Sequence, residues 1–458
     1  MFDQLDTSYL ESQYSPEGQH AFHPKKMVSI LIYGYSHGVF SMRELEKRCR
    51  EDLAFMYIAG ANCSNFRTLN DFRKDNAEFF EDSFKQTVQL AMELKMASLG
   101  HISFDGSKFK SNSSKHKAMS YDRLKDKEQK LCEEIEELIK QGEACNTEED
   151  RDYQEKSSYE LPDELAFKQQ RLETIQNAKE ALEAREEALN PGKEIDGKKQ
   201  ISFADFDARI MGKKGSFNYS YNPQLSVDSD FQVIVGQHVS QNANDQKEVE
   251  AGLKSIQEST GKLPEKMSLD NGYFSGENLK ALEESEVDAY IATDRHDKKH
   301  SEPLEESKRN LIKSDFCYDE EQNCFHCPKG HTLKLKNQGT GSKRLYQGDI
   351  EVCASCPLFS RCSQSKRGEA RTITSDKHEG LRNAMRIKME QEDAKEIYKR
   401  RKVIVEPVFG QIKNGGFRGF SLRGTKKVAG EFSLVCAAHN IKKMVKAIMT
   451  GSVCPTFG

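Results

Sequence analysis

Between Arg400 and Lys413 the chain reads Arg-Arg-Lys-Val-Ile-Val-Glu-Pro-Val-Phe-Gly-Gln-Ile-Lys, so that one carboxylate, Glu406, stands among cations. Lys413 follows Glu406 by seven residues, two helical turns along the same face. A carboxylate on a basic face can hold a divalent metal while Arg401, Lys402 and Lys413 hold phosphates. A solvated helix with one acid and Pro407 near its start fits the same letters, so the stretch needs partners elsewhere. Two further acids qualify. Asp105 interrupts the extended apolar run His101-Ile-Ser-Phe-Asp-Gly, where a carboxylate is costly unless paired, bound to metal or capping a turn. Asp270 ends Lys266-Met-Ser-Leu-Asp ahead of a glycine turn, at the carboxyl end of a strand, where open sheets place ligands.

The cysteines form a second constellation. Cys324-x2-Cys327 and Cys353-x2-Cys356 are followed by Cys362, with Pro328 and Pro357 each directly after a cysteine. Paired turns of this spacing deliver thiolates to a tetrahedral zinc ion. Five cysteines compete for four positions, with Cys324 or Cys362 left spare and Cys317, His326 and His331 as weaker candidates. A closed site of four protein ligands has no open position for substrate, so this zinc is structural.

The elements that must position these groups fall into four stretches. Residues 1–98 read as helices: Pro24 to His37, Met42 to Arg50 behind a Ser41/Glu44 capping box, Leu53 to Ala59, Phe66 to Arg73 started by Asn65, and Asn76 to Ala97. Tight connections suit a helix-turn-helix in which Arg67, Asn70 and Arg73 enter a major groove; a small helical dimerisation unit suits them equally. Strand patterns follow Gly100, then a cationic polar run containing Lys108, and they return between Ile201 and Ser240. Helix and strand alternate from Asp245 to Thr293, which predicts a mixed sheet with helices packed on it. Between them, Leu124, Leu131, Ile135, Leu138 and Ile139 face Leu165, Leu172, Ile175, Leu182 and Leu189 as two amphipathic stripes, an antiparallel helical hairpin ended by Pro191-Gly192. The last stretch is helical around the loop Asn414-Gly-Gly-Phe-Arg-Gly-Phe, where Arg418 and the following Arg423 offer cations beside aromatic faces to a nucleic acid.

A chain of 458 residues buries a substantial core and divides into two to four units. Its start lacks a basic and apolar leader, and no apolar run approaches the roughly 20 residues that span a bilayer, which predicts a cytoplasmic protein with reduced thiols and no membrane partner. The formal net charge of −4 hides a polarity. Ser120 to Gln200 holds 23 acids and 14 bases, whereas Asp376 to Thr450 holds 17 bases and 8 acids. The acidic hairpin is thus a poor nucleic-acid contact and the carboxyl-terminal stretch a good one.

Taken in order, several motifs resemble the DDE transposases of bacterial insertion sequences, in the branch with a helical hairpin insert and a cysteine-rich insert. They are the segment from His23-Pro-Lys-Lys-Met-Val to Asn65-Phe-Arg-Thr, then Phe104-Asp-Gly-Ser-Lys and Asp207-Ala-Arg-Ile-Met. Gln241-Asn-Ala-Asn-Asp, Asp270-Asn-Gly-Tyr-Phe, the cysteine-proline pairs and Val405-Glu-Pro-Val-Phe-Gly complete the set. The resemblance implies a mixed α/β fold with an RNase H-like core (99–119, 201–300 and 370–450), an amino-terminal DNA-binding or dimerisation domain (1–98), a hairpin insertion (120–200) and a zinc-binding insertion (301–369). It implies that Asp105, Asp270 and Glu406 converge on two Mg²⁺ or Mn²⁺ ions, and that Cys327, Cys353, Cys356 and Cys362 hold the zinc. The implied activity is cleavage and transfer of DNA strands. The partners are the element's terminal inverted repeats and target DNA, bound by at least a dimer in the bacterial nucleoid. Tyr398 with Arg401 or Lys402 matches the family's spacing before the glutamate only approximately. A transposase-derived DNA-binding protein that has lost its chemistry is the competing reading.

Overall fold

The run His101-Ile-Ser-Phe-Asp-Gly forms β1 (His101–Gly106), the middle strand of the largest sheet. Ile102 and Phe104 are buried on one face and His101 and Ser103 on the other, as in a strand covered from both sides. The computed structural model describes residues 4–14, 22–114, 117–152, 163–213, 216–293, 310–338, 343–363, 365 and 368–454. β1 pairs antiparallel with β2 (Ser216–Asp228), and β2 pairs antiparallel with β3 (Ile234–Ser240). On its other side β1 runs parallel to β4 (Lys266–Leu269), which runs parallel to β5 (Asp288–Ile291). The path is therefore β3-β2-β1-β4-β5, and the long β2 also pairs with Phe109–Lys110 and Arg209–Lys213 near its start. The strand pattern that returns at Ile201 begins as two short pieces, Gln200–Ser202 and Arg209–Lys213.

Parallel neighbours require crossovers, and helices supply them. Val249–Thr260 leads from β3 to β4, and Gly276–Glu284 leads from β4 to β5. The first lies so close to the sheet that a Cβ on Gly252 would meet the Phe104 ring at 2.7 Å. On the edge strand β3, Ile234 donates its N–H to Asn440 Oδ1 (2.9 Å) and accepts from Asn440 Nδ2 at its carbonyl (2.8 Å). Asn440 belongs to the long helix Thr425–Met449, which thereby covers backbone groups an edge would otherwise expose.

The amino-terminal helices are Pro24–Ser36, Met42–Glu51, Leu53–Ala59, Phe66–Asp75 and Ala77–Glu93. Asn65 caps its helix by accepting from Thr68 N–H (2.9 Å). The capping box expected at Ser41 does not form: its side chain makes no capping bond, and Glu44 is taken by Arg48 one turn on (3.0 Å). The Ala77–Glu93 helix packs along Thr425–Met449, so the amino-terminal helices share the main hydrophobic core.

Tyr121–Asp152 and Asp163–Leu189 pack as a helical pair through Leu124, Leu131, Ile175 and Leu182, with Glu128 accepting from Lys179 (2.7 Å). Ile139 and Leu189, expected in the seam, are exposed. The link between the helices lies outside the described residues. The cysteine-rich stretch forms a second, antiparallel sheet from Cys317–Asp319, Cys324–His326, Thr332–Gln338, Lys343–Gln347 and Thr372–Asp376, in that order. Its last strand extends beyond the boundary expected at 369. The buried Glu379 carboxylate then ties this sheet to the main body by accepting from Lys313 (2.7 Å), Arg382 (3.3 Å) and Arg386 (3.1 Å).

Candidate active site

Sheet register sets the first two acids side by side. Phe104 of β1 is the partner of Leu269 of β4, and Asp105 and Asp270 are the next residues on these parallel strands. Asp270 is held at the turn by Gly272 N–H, which donates to its Oδ1 at 2.6 Å. Glu406 arrives from a different element, the first turn of the helix Glu406–Asn414, with Pro407 fixing the helix start. Arg401 joins the two sources. Its Nη1 donates to Asp105 Oδ2 (2.9 Å) and its Nη2 to Glu406 Oε1 (3.2 Å).

Crowded carboxylates in a partly buried place resist ionisation. Burial pushes Asp105 up to about 6; the Arg401 guanidinium pulls against this and the Asp270 carboxylate adds to it. Arg401 was expected to face phosphates. Its short helix, Arg401–Ile404, turns the side chain inward, leaving the neighbouring Lys402 exposed. Lys413 donates to Ser107 Oγ, with its ammonium 4.9 Å from the centre of the Phe109 ring, and burial lowers its pKa while Asp105 raises it.

A fourth carboxylate escaped the sequence reading. Asp245 Oδ1 accepts from Asn222 (2.8 Å) and Gln224 (2.9 Å), and Gln224 in turn accepts from the Tyr273 hydroxyl. The other Asp245 oxygen stands beside Asp270: a Cβ on Gly272 would lie 2.8 Å from Asp270 Oδ1 and 3.4 Å from Asp245 Oδ2. The sequence signal for it is the motif Gln241-Asn-Ala-Asn-Asp, which Asp245 ends. Four carboxylates against Arg401 and Lys413 leave an excess of negative charge, and the donors are all hard oxygens. That set fits Mg²⁺ or Mn²⁺.

The other expected contacts divide. Arg67 and Lys108 are exposed. Arg73 is buried and committed to Glu431 (3.1 Å) and the Tyr35 hydroxyl (2.6 Å), and Asn70 Oδ1 accepts from its Nη2 (2.8 Å). Arg73 is therefore turned toward the core rather than presented to DNA, with the half-buried Asn70 as one of its acceptors. Arg418 and Arg423 are exposed and line an open trough of about 850 Å³ with Lys110 and Lys117. The trough exists because the glycine-rich loop is stitched to the run after β1: Phe420 N–H donates to Lys110 O (2.8 Å) and Asn112 Nδ2 to Ser421 O (2.6 Å).

Cys327, Cys353, Cys356 and Cys362 face one cavity of about 150 Å³, with His331 also in its wall. Burial raises the Cys362 thiol, Arg371 opposes the rise, and the other three sulfurs add to it. Four thiols on one small cavity are the donor type a tetrahedral soft ion takes, although their sulfurs are not gathered within 4.8 Å of one another. Cys324 is not among its lining residues, because Cys324 and Cys327 are three apart on nearly extended backbone and leave opposite faces.

Comparison with known families adds an independent finding. A family model described as a transposase DDE domain matches residues 326–445, which include the four thiols and Glu406, and one described as a transposase domain (DUF772) matches residues 1–75. No curated protein and no solved structure matches the chain. Asp105 and Asp270 lie outside both matched segments; the sheet register sets them side by side, and Arg401 links Asp105 to Glu406 of the DDE-domain segment. Among the described residues no helix is long and apolar enough to cross a membrane. Both matches are to transposase families, and together they support a DDE transposase of the insertion-sequence type.

Proposed function

We propose that this transposase binds the ends of a mobile element and cuts and rejoins DNA strands at Asp105, Asp270 and Glu406. The observation that carries the reading is Arg401 spanning Asp105 and Glu406, with Asp270 next to Asp105 through the Phe104 to Leu269 register. The strand order β3-β2-β1-β4-β5, antiparallel on one side of β1 and parallel on the other, supports an RNase H-like core.

Asp105, from the middle strand, would hold Mg²⁺ or Mn²⁺ together with Asp270 and Glu406. Such ions, when bound, activate an attacking oxygen and stabilise a leaving one. The chain's own residues do the rest. Arg401 holds Asp105 and Glu406 at a common point and offsets their repulsion. Asp245, fixed by two side-chain amides, lends negative charge and orientation beside Asp270. Lys413, on the rim by Ser107, is placed for a phosphate oxygen, and the trough of Lys110, Lys117, Arg418 and Arg423 suits a DNA backbone. Water attacks the phosphodiester first, and the freed 3′-hydroxyl then attacks target DNA in the same site, with no covalent protein intermediate. Two element ends require two copies, so the working form is at least a dimer.

The test is Mg²⁺- or Mn²⁺-dependent cleavage of DNA carrying the element's flanking ends, with Asp105→Ala, Asp270→Ala and Glu406→Ala compared. Cutting by the unsubstituted chain and binding without cutting by all three variants supports the reading. Binding without cutting by the unsubstituted chain under either metal favours a DNA-binding protein that has lost its chemistry.

A further inference from the structure

We infer that the outer face of the hairpin Cys317–Asp319 and Cys324–His326 is a second zinc-class site, built from Asp319, Cys324 and His326 and separate from the four-thiol cavity. The antiparallel register pairs Cys317 with His326, Tyr318 with Phe325, and Asp319 with Cys324. Alternation decides the faces. Tyr318 and Phe325 go inward, with ring centres 5.0 Å apart, and join Phe316 and Tyr346 in the small core. Asp319, Cys324, His326 and Cys317 therefore share the opposite face.

The three donor atoms all lie within 4.8 Å of one another. Cys324 Sγ is 3.7 Å from His326 Nε2, which is 3.4 Å from Asp319 Oδ2. The carboxylate contact is long for a hydrogen bond, whose usual N to O range is about 2.7 to 3.2 Å. Both distances match the edges of a coordination tetrahedron. With zinc at about 2.3 Å from sulfur and about 2.0 Å from nitrogen and oxygen, the S to N edge is about 3.5 Å and the N to O edge about 3.3 Å.

The surroundings leave the right atoms available. Asp319 Oδ1 already accepts from Gln322 N–H (3.0 Å), which leaves Oδ2 for an ion. His326 Nδ1 faces Thr332 Oγ1 at 3.4 Å, so Nε2 is the ring nitrogen turned to the cluster. Sulfur, imidazole and carboxylate together select a borderline-soft divalent ion such as Zn²⁺ over Mg²⁺. The exposed Cys317, across the ladder from His326, or a water fills the fourth position. An ion here would tie down the outermost strand of the sheet, which starts four residues after Lys313, the partner of buried Glu379.

The zinc content of the full chain, measured per polypeptide after purification without chelator, tests the site. Cys324→Ser and His326→Gln are each expected to carry one equivalent less than the unsubstituted chain, whatever the four-thiol cavity holds. Cys353→Ser removes a different equivalent, so the two sites are counted separately. Equal zinc in the unsubstituted chain and the Cys324→Ser variant overturns the inference. If Cys324→Ser does not fold, Asp319→Asn keeps the shape and the bond from Gln322. It should weaken zinc binding at least about tenfold in competition with a colorimetric chelator; unchanged affinity overturns the inference as well.

Discussion

Arg73 and Glu431 form a buried ion pair, 3.1 Å between Nη1 and Oε1, although 358 residues separate them in sequence. Glu431 also accepts the backbone N–H groups of Ser421 and Leu422, so the pair connects the amino-terminal helices to the loop that walls the trough. Removing one partner strands the other's charge in the core. Arg73→Leu is expected to destabilise the chain by about 3–5 kcal/mol in chemical denaturation. Were Arg73 a DNA contact instead, the variant would keep its stability and lose affinity for element ends.

Asp105 makes stability and metal binding depend on pH. Its folded-state pKa, about 6, is above the ordinary value of 3.8, so the folded chain holds a proton there that the unfolded chain has lost. The associated stability is present below about pH 4 and disappears as pH rises through about 6, on the order of 2 kcal/mol. Melting in EDTA should therefore show a stability that falls across this window, with the slope reduced in Asp105→Asn. Divalent ions need the ionised form, so stabilisation by Mn²⁺ should grow from pH 5 to pH 7.

Arg401 offsets carboxylate repulsion, so its removal should matter most without metal. Arg401→Ala is expected to lower the melting temperature in EDTA and to recover part of the loss in Mn²⁺. Arg401→Lys should resemble the alanine variant, because one ammonium lacks the fork that reaches both Asp105 and Glu406. Equal losses with and without metal would count against this role.

The trough residues should act on DNA through charge alone. Arg418→Ala and Arg423→Ala are each expected to reduce the slope of log affinity against log salt by about 1, for any DNA sequence. Fluorescence anisotropy at several salt concentrations measures this, and a slope unchanged in both variants would move the DNA path elsewhere.

Asp245→Asn retains the shape of the side chain while removing its charge beside Asp270. Cleavage should fall by about 10- to 100-fold with binding of end DNA preserved, as expected for a group that orients ligands. A variant cutting at the full rate would make Asp245 a purely structural acceptor for Asn222 and Gln224.

What the sequence made legible was local. Asp105 and Asp270 were conspicuous because an acid at the end of an apolar run breaks its pattern, and Glu406 because it stood alone among cations. The mixed sheet followed from alternation and glycine turns. The inward turn of Arg73 was not legible, since its partner Glu431 lies in the last helix, and helical spacing alone does not say which face is covered. Asp245 was hidden for a similar reason: what distinguishes it is the pair of amides from β2, a contact made by folding. At the cysteines, spacing suggested that Cys324 and Cys327 act as a pair. Extended backbone sends them to opposite faces, and the strand alternation of Phe325 against Cys324 and His326 was the clue.

The position of Glu431 gives the protein a clock. During synthesis Arg73 leaves the ribosome on the order of tens of seconds before its partner is made, at about 5–20 residues per second. Asp105, Asp270, the cysteine-rich sheet and Glu406 all emerge in that interval, yet the helix that covers β3 is completed only after it. Until then the nascent chain carries an arginine whose charge lacks its buried counterpart Glu431. The main core is therefore closed late in synthesis, when the last helix covers the sheet edge.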